Sequence, residues 1–219
     1  MSLPNKNAAF LSLAVGLAVA GCTTTGSPVA VTQLPEGSQL AANTTYATQP
    51  DEKFAVPAID VAEIDPKNIR QQVNYQTDEP PGTIVIDTKS RFIYLVREGG
   101  KAMRYGVGVG REGLEFKGTA KVGFKREWPH WTPTPAMIAR EPKRYARWAK
   151  GMDGGIGNPL GARALYLFKD GKDTLFRIHG TNEPNTIGHA VSSGCIRMMN
   201  QDVIDLYRRA PSGSKVVVR

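Results

Sequence analysis

From Gly82 onward the chain reads as short apolar runs broken by turn residues. In TIVIDTKSRFIYLVREGGKAMRYGVGVG the runs predict strands over Thr83–Asp87, Arg91–Val96 and Met103–Val109, with turns at Thr88–Ser90 and Gly99-Gly100. Such a succession indicates an antiparallel meander. GTAKVGFKREW is a further strand candidate, and Leu165–Phe168 and Leu175–Ile178 predict strands around an Asp170-Gly171 turn. The stretch from Trp128 to Gly161 reads as loop-rich, with one helix near Pro142–Ala149, where proline in the first turn is tolerated. A helix is predicted from Asn200: Asn200 caps it, Asp202 suits its positive end, and Val203, Leu206 and Tyr207 form an apolar stripe. Val216–Val218 supply a last strand. The expected fold is mainly β, with two or three short helices.

The N-terminal part follows different patterns. Lys6 precedes an apolar run from Ala8 to Ala20. That run is shorter than the ~20 residues of a membrane span and has the flanks of a secretory signal. It ends in Val19-Ala20-Gly21-Cys22, which resembles the bacterial lipobox, so residues 1–21 are expected to be a lipoprotein signal peptide and Cys22 the lipidated mature terminus. An ordinary signal peptide cut after Ala20 or Gly21 is the alternative. Thr23, where inner-membrane retention signals carry Asp, points by resemblance to the outer membrane. Residues 22–50 are rich in Thr, Ser, Ala, Gly, Pro and Gln. Such a segment buries too little apolar surface to offset its ordering entropy and is expected to be a flexible tether. Residues 51–81 form a lead-in interrupted by Pro57, Pro66, Pro80 and Pro81, with a short extended piece at Gln72–Tyr75. Residues 82–219 remain for the folded domain.

The formal charge of +8 suits an acidic polymer but selects nothing alone. A secreted chain without aromatic-interleaved basic patches disfavours nucleic acid. The chain has two cysteines. If Cys22 carries lipid, Cys195 has no disulfide partner within the chain and is a lone thiol in an oxidising compartment. Ser192-Ser193-Gly194 before it and Arg197 after it do not read as a core strand. A thiol is a few per cent ionised at neutral pH unless a base assists it. Of three histidines, His179 ends a β run and is followed by Gly180, a rigid position at a cleft mouth. Gly194 permits close approach of substrate, neighbouring N–H groups suit an oxyanion, the two serines offer hydroxyls, and Arg197 offers a fixed charge for a carboxylate. His189 reads as structural, and His130 as surface or packing. A Cys–His half-site for a metal is the competing reading, weakened by the absence of CxxC and HxxH spacing. No metal or diffusible cofactor is indicated.

RIHGTNEPNTIGHAVSSGCIRMMNQDVIDLY closely resembles the signature of L,D-transpeptidase catalytic domains of the YkuD/ErfK type, and GVGVGREGLEFKGTAKVG, EWPHWTPTPAMI and GGIGNPLGARALYL extend the resemblance over Gly82–Arg219 toward a Gram-negative lipoprotein branch. The resemblance implies a YkuD-type β-sandwich or barrel-like domain. It further implies Cys195 as nucleophile, His179 as base and acid, the Gly180 carbonyl orienting the imidazole, and Arg197, Ser192, Ser193 and Gly194 in substrate binding. Many relatives carry histidine where this chain has Ser193. The implied substrate is a peptidoglycan tetrapeptide stem, cut between diaminopimelate and D-Ala. The acyl group then passes to an amine, giving a 3→3 crosslink or anchoring an envelope protein. L,D-carboxypeptidase action, a non-catalytic peptidoglycan-binding lipoprotein and a cysteine peptidase are the rivals. The implied location is the periplasm, with a lipid anchor on Cys22 in the outer membrane.

Overall fold

The computed structural model describes residues 36–110, 116–192 and 194–219. The expected signal peptide, Cys22 and Ser193 lie outside the described residues. The first described element, α1 (Glu36–Thr45), falls inside the stretch expected to be a tether. Ala42 and Tyr46 are buried, and the Tyr46 hydroxyl donates to Asp202, lying 3.0 Å from each carboxylate oxygen. The same hydroxyl accepts the Arg70 N–H at 2.8 Å. The tether expectation is therefore corrected over residues 36–50: a segment too polar to form its own core is held by a buried tyrosine that satisfies a carboxylate, by Ala42 in the same apolar cluster, and by carbonyls that accept from Gln201.

After two single-turn 3₁₀ helices comes β1 (Gln71–Asn74), at the expected extended piece. The meander follows as β2 (Ile84–Asp87), β3 (Phe92–Arg97) and β4 (Lys101–Gly106), all antiparallel, with β1 added outside β4. The strand expected to run to Val109 stops at Gly106. Its continuation, β5 (Val109–Gly110), pairs elsewhere. β6 spans Gly118–Glu127.

The excursion read as loop-rich contains two helices, α2 (Pro135–Arg140) and α3 (Pro142–Tyr145), and a 3₁₀ turn at Ala146–Trp148. Pro135 and Pro142 each open a helix, a position where the missing N–H costs nothing. Thr134 caps α2, its hydroxyl accepting the Met137 N–H at 3.2 Å. Asn158, 1% exposed, donates to the carbonyls of Pro129, Met152 and Asp153 and ties the ends of the excursion together.

β7 (Arg163–Lys169) and β8 (Lys172–His179) form a hairpin closed by Asp170-Gly171, both at positive φ as a two-residue type I′ turn requires. Two short strands, β9 (Ala190–Ser192) and β10 (Ile196–Arg197), precede α4 (Asn200–Arg209) and β11 (Lys215–Val218). Nine strands share one sheet in the order β1-β4-β3-β2-β11-β6-β7-β8-β10, and β5 pairs with β9. Two joins are parallel in the large sheet, β11 with β2 and β10 with β8. The domain is mainly β, as expected, with four α-helices among the described residues.

The core lies between the sheet and α4. Val203 and Leu206 are fully buried against residues such as Ile84, Ile93, Leu165 and Ile178. Each such side chain contributes about 1.5–3 kcal/mol by leaving water. On another side of α4, Ile204 packs with Val56, Trp128 and Ala162. Beside that cluster Arg163 pairs with Glu52 at 2.7 Å, their side chains 6% and 9% exposed.

Candidate active site

The nucleophile candidate sits where β10 is clamped between two neighbours. On one side β10 runs parallel to β8, with Ile196 opposite Ile178 and Arg197 opposite His179. On the other, Arg197 exchanges both backbone hydrogen bonds with Gly108, at 2.8 and 2.9 Å. Cys195, the residue just before β10, and His179, the last residue of β8, are thus brought to one sheet edge, and both open onto one cavity of about 510 Å³.

The approach to Cys195 is a tight turn. The Ser192 hydroxyl donates to the Cys195 carbonyl at 2.6 Å and accepts the Gly194 N–H at 3.2 Å. Gly194 has φ 124°, and a Cβ on Gly110 would meet its Cα at 2.8 Å. Only glycine fits that backbone and that approach. Two expectations change here. The Ser192 hydroxyl, expected to serve substrate, is committed within the turn and buried. The Gly194 N–H is likewise taken up by Ser192. Ser193 lies outside the described residues.

His179 is 5% exposed, and its Nδ1 lies 2.6 Å from the Gly180 carbonyl. A carbonyl only accepts, so Nδ1 carries the proton and Nε2 is left as the basic nitrogen. Burial holds the imidazole pKa down to about 4, with Arg197 and Arg177 acting in the same direction and the Gly180 hydrogen bond opposing. Burial also pushes the Cys195 thiol up, against the pull of Arg177 and Arg197. At neutral pH the pair therefore rests as thiol and neutral imidazole. The thiol Sγ lies 3.9 Å from the carbonyl of Leu175, a residue at φ 63° where β8 bulges.

One important residue was not legible as such. Asn200 is the first residue of α4 and not its cap, which is Met199. Its Oδ1 accepts the Ala162 N–H at 2.9 Å and its Nδ2 donates to the Thr181 carbonyl at 3.0 Å. A Cβ on Gly180 would lie 2.2 Å from that Oδ1. The glycine after His179 is thus required by the asparagine that fixes the strand end. His189 lies outside this cavity, exposed beside Ile187 and Gly188. His130 is at the surface, with Nδ1 3.0 Å from Asp153.

Arg197 opens onto the cavity, but it is not free. Glu183 accepts from Arg197 at 3.1 Å and from Arg144 at 2.8 Å. The opposite wall comes from the excursion: Trp131 and Tyr145, packed edge to face at 6.0 Å, with Met137 and Trp148.

The profile of the YkuD family, the L,D-transpeptidase catalytic domain, matches residues 81–218. The chain belongs to the L,D-transpeptidase family. Its members are enzymes that modify peptidoglycan and act on its stem peptides. Probable L,D-transpeptidase YbiS of Escherichia coli K12 is 29% identical over 93% of this chain and 72% of its own length. Probable L,D-transpeptidase ErfK/SrfK of the same strain is 30% identical over 84% of this chain and 66% of its own. A solved structure from Brucella melitensis is 56% identical, covers 73% of this chain and 99% of its own, and has a TM-score of 0.49. It is described as a probable carnitine operon oxidoreductase, a name that differs from those of the L,D-transpeptidase relatives.

Proposed function

We propose that this L,D-transpeptidase works through Cys195 and His179 on tetrapeptide stems of peptidoglycan. The observation that carries the reading is the placement of the two side chains at one cavity, from the bend entering β10 and from the end of the paired β8, with the imidazole tautomer set by Gly180. Cys195 attacks the carbonyl at the L-centre of diaminopimelate as its thiol proton passes to His179 Nε2. The oxyanion is received by the Cys195 N–H. His179 returns the proton to the departing amine of D-Ala, leaving a thioester. An amine then attacks the thioester, giving up a proton to His179, and the thiol is restored. A neutral resting pair suits this sequence, because charge separates only as the bond forms.

The acyl acceptor is a second diaminopimelate side chain or an amine of an envelope protein. We further place the enzyme in the periplasm, held through lipid on Cys22. The lipobox-like Val19-Ala20-Gly21-Cys22 supports this, with Thr23 favouring the outer membrane.

The test is incubation of the full-length protein with disaccharide tetrapeptide, followed by mass analysis of products. D-Ala release with a thioester on Cys195 is expected, and Cys195→Ala should abolish both while the protein stays folded. Continued D-Ala release by that variant would sink the mechanism. The masses also separate crosslinking, protein anchoring and trimming.

A further inference from the structure

Arg144 stands on α3 of the excursion and Arg197 on β10, so nothing in the strand pairing brings them together. Glu183 does. Its two oxygens take one guanidinium each, at 2.8 Å from Arg144 and 3.1 Å from Arg197. The glutamate backbone is pinned on both sides: its N–H donates to the Thr181 hydroxyl at 3.0 Å and its carbonyl accepts the Thr186 hydroxyl at 2.7 Å. The carboxylate is therefore delivered by a fixed backbone and a movable side chain. All three groups line the cavity that holds Cys195 and His179. Glu183 is the one acid among the described lining residues, against Arg144, Arg147 and Arg197.

An ion pair this open does little for the fold: the Arg144 and Glu183 side chains are 53% and 38% exposed. Yet its geometry, one carboxylate bridging two forks, is the geometry with which arginines recognise a carboxylate ligand. Rotation about the side-chain torsions of Glu183 would vacate that place without moving its backbone.

We propose that Arg144 and Arg197 form a receptor for one of the two internal carboxylates of the donor stem peptide, that of diaminopimelate or that of D-isoglutamate, and that Glu183 is an internal carboxylate holding the receptor assembled until the substrate's own replaces it. This rests on the L,D-transpeptidase mechanism proposed above. Arg144 then sets specificity from the excursion wall, and Glu183 is a positioning residue. Acidic stems are favoured over amidated ones, because only a charged oxygen pair can take over from Glu183.

The test measures D-Ala release by the full-length protein on three disaccharide tetrapeptides. One is unmodified, one is amidated at the free carboxylate of diaminopimelate, and one is amidated at the α-carboxylate of D-isoglutamate. On the unmodified stem Arg144→Ala should raise KM about tenfold with kcat within about twofold, the loss of one charge-assisted contact. Arg144→Lys should recover part of that loss. Glu183→Gln should lower KM by about threefold, since the receptor loses its internal competitor. On one of the two amidated stems these differences from the unaltered enzyme should vanish, which identifies the carboxylate. Effects of equal size on all three stems, a fall in kcat alone, or no effect would overturn the receptor while leaving the mechanism intact. Absence of D-Ala release by the unaltered enzyme would instead overturn the mechanism and the receptor with it.

Discussion

His179 is an imidazole kept neutral by burial. Its pKa of about 4 means that Nε2 remains unprotonated well below the pH at which a solvated imidazole would charge. The acid limb of Cys195 acylation is therefore expected near pH 4 to 5, not near 6.5. The direction follows from the lowered value: the competent neutral form persists as pH falls and is lost only on approaching about 4. Rates of thioester formation across pH 3.5–8, measured by quenched intact mass, would show this. A limb centred at 6.5 would mean a more solvated imidazole than this geometry allows. His179→Ala should lower the rate by about 10²–10⁴-fold, the usual range for a lost general base. As candidates, Cys195 and His179 were legible from residue type and position, since a thiol after glycine and a histidine at a strand end are local features. Glu183 was not, because it matters only through Arg144 and Arg197, from parts of the chain that the sequence does not bring together.

At the scale of elements, the site depends on a three-way junction. Asn200 joins the start of α4 to the residue before β7 and to the stretch after β8. Asn200→Ala leaves a buried N–H and a carbonyl unpaired, and each such group costs about 1–3 kcal/mol. Chemical denaturation should show a loss of about 2–4 kcal/mol on that basis. A loss below about 0.5 kcal/mol would show that the junction rearranges at little cost. Strands with several apolar residues, such as β2, β3, β7 and β8, were readable because each carries its own pattern. β9 and β10, of three and two residues, have no pattern to read and exist only through their partners. α2 was missed for a different reason: Pro135, which begins it, was taken for a loop signal, although Thr134-Pro135 is a cap followed by a first-turn proline.

Across the whole molecule, the N-terminal segment is structural as well as connecting. Tyr46 satisfies Asp202, which burial pushes up to a pKa of about 7, and Glu52 holds Arg163. Both lie before the family-matched residues 81–218. Removing one partner of a buried ion pair costs about 3–5 kcal/mol. A chain beginning at Pro81 should accordingly unfold at a much lower denaturant concentration than one beginning at Gln33. Equal midpoints would show that the segment is dispensable. The sequence did not disclose this anchoring, because Tyr46 stands among Thr, Ala and Gln and its partner is on the far helix.

β11 follows every other element in the chain, yet it lies midway across the nine-stranded sheet, joining β2 to β6. Until it has been synthesised, the β1–β4 flank and the β6–β10 flank share no hydrogen-bonded neighbour in that sheet. Backbone pairing between the flanks then rests on Gly108 with Arg197 and on β5 with β9, the strands beside Cys195. A chain truncated before Lys215 should therefore lose the middle of its large sheet, hold its two flanks together far more weakly and fail to acylate.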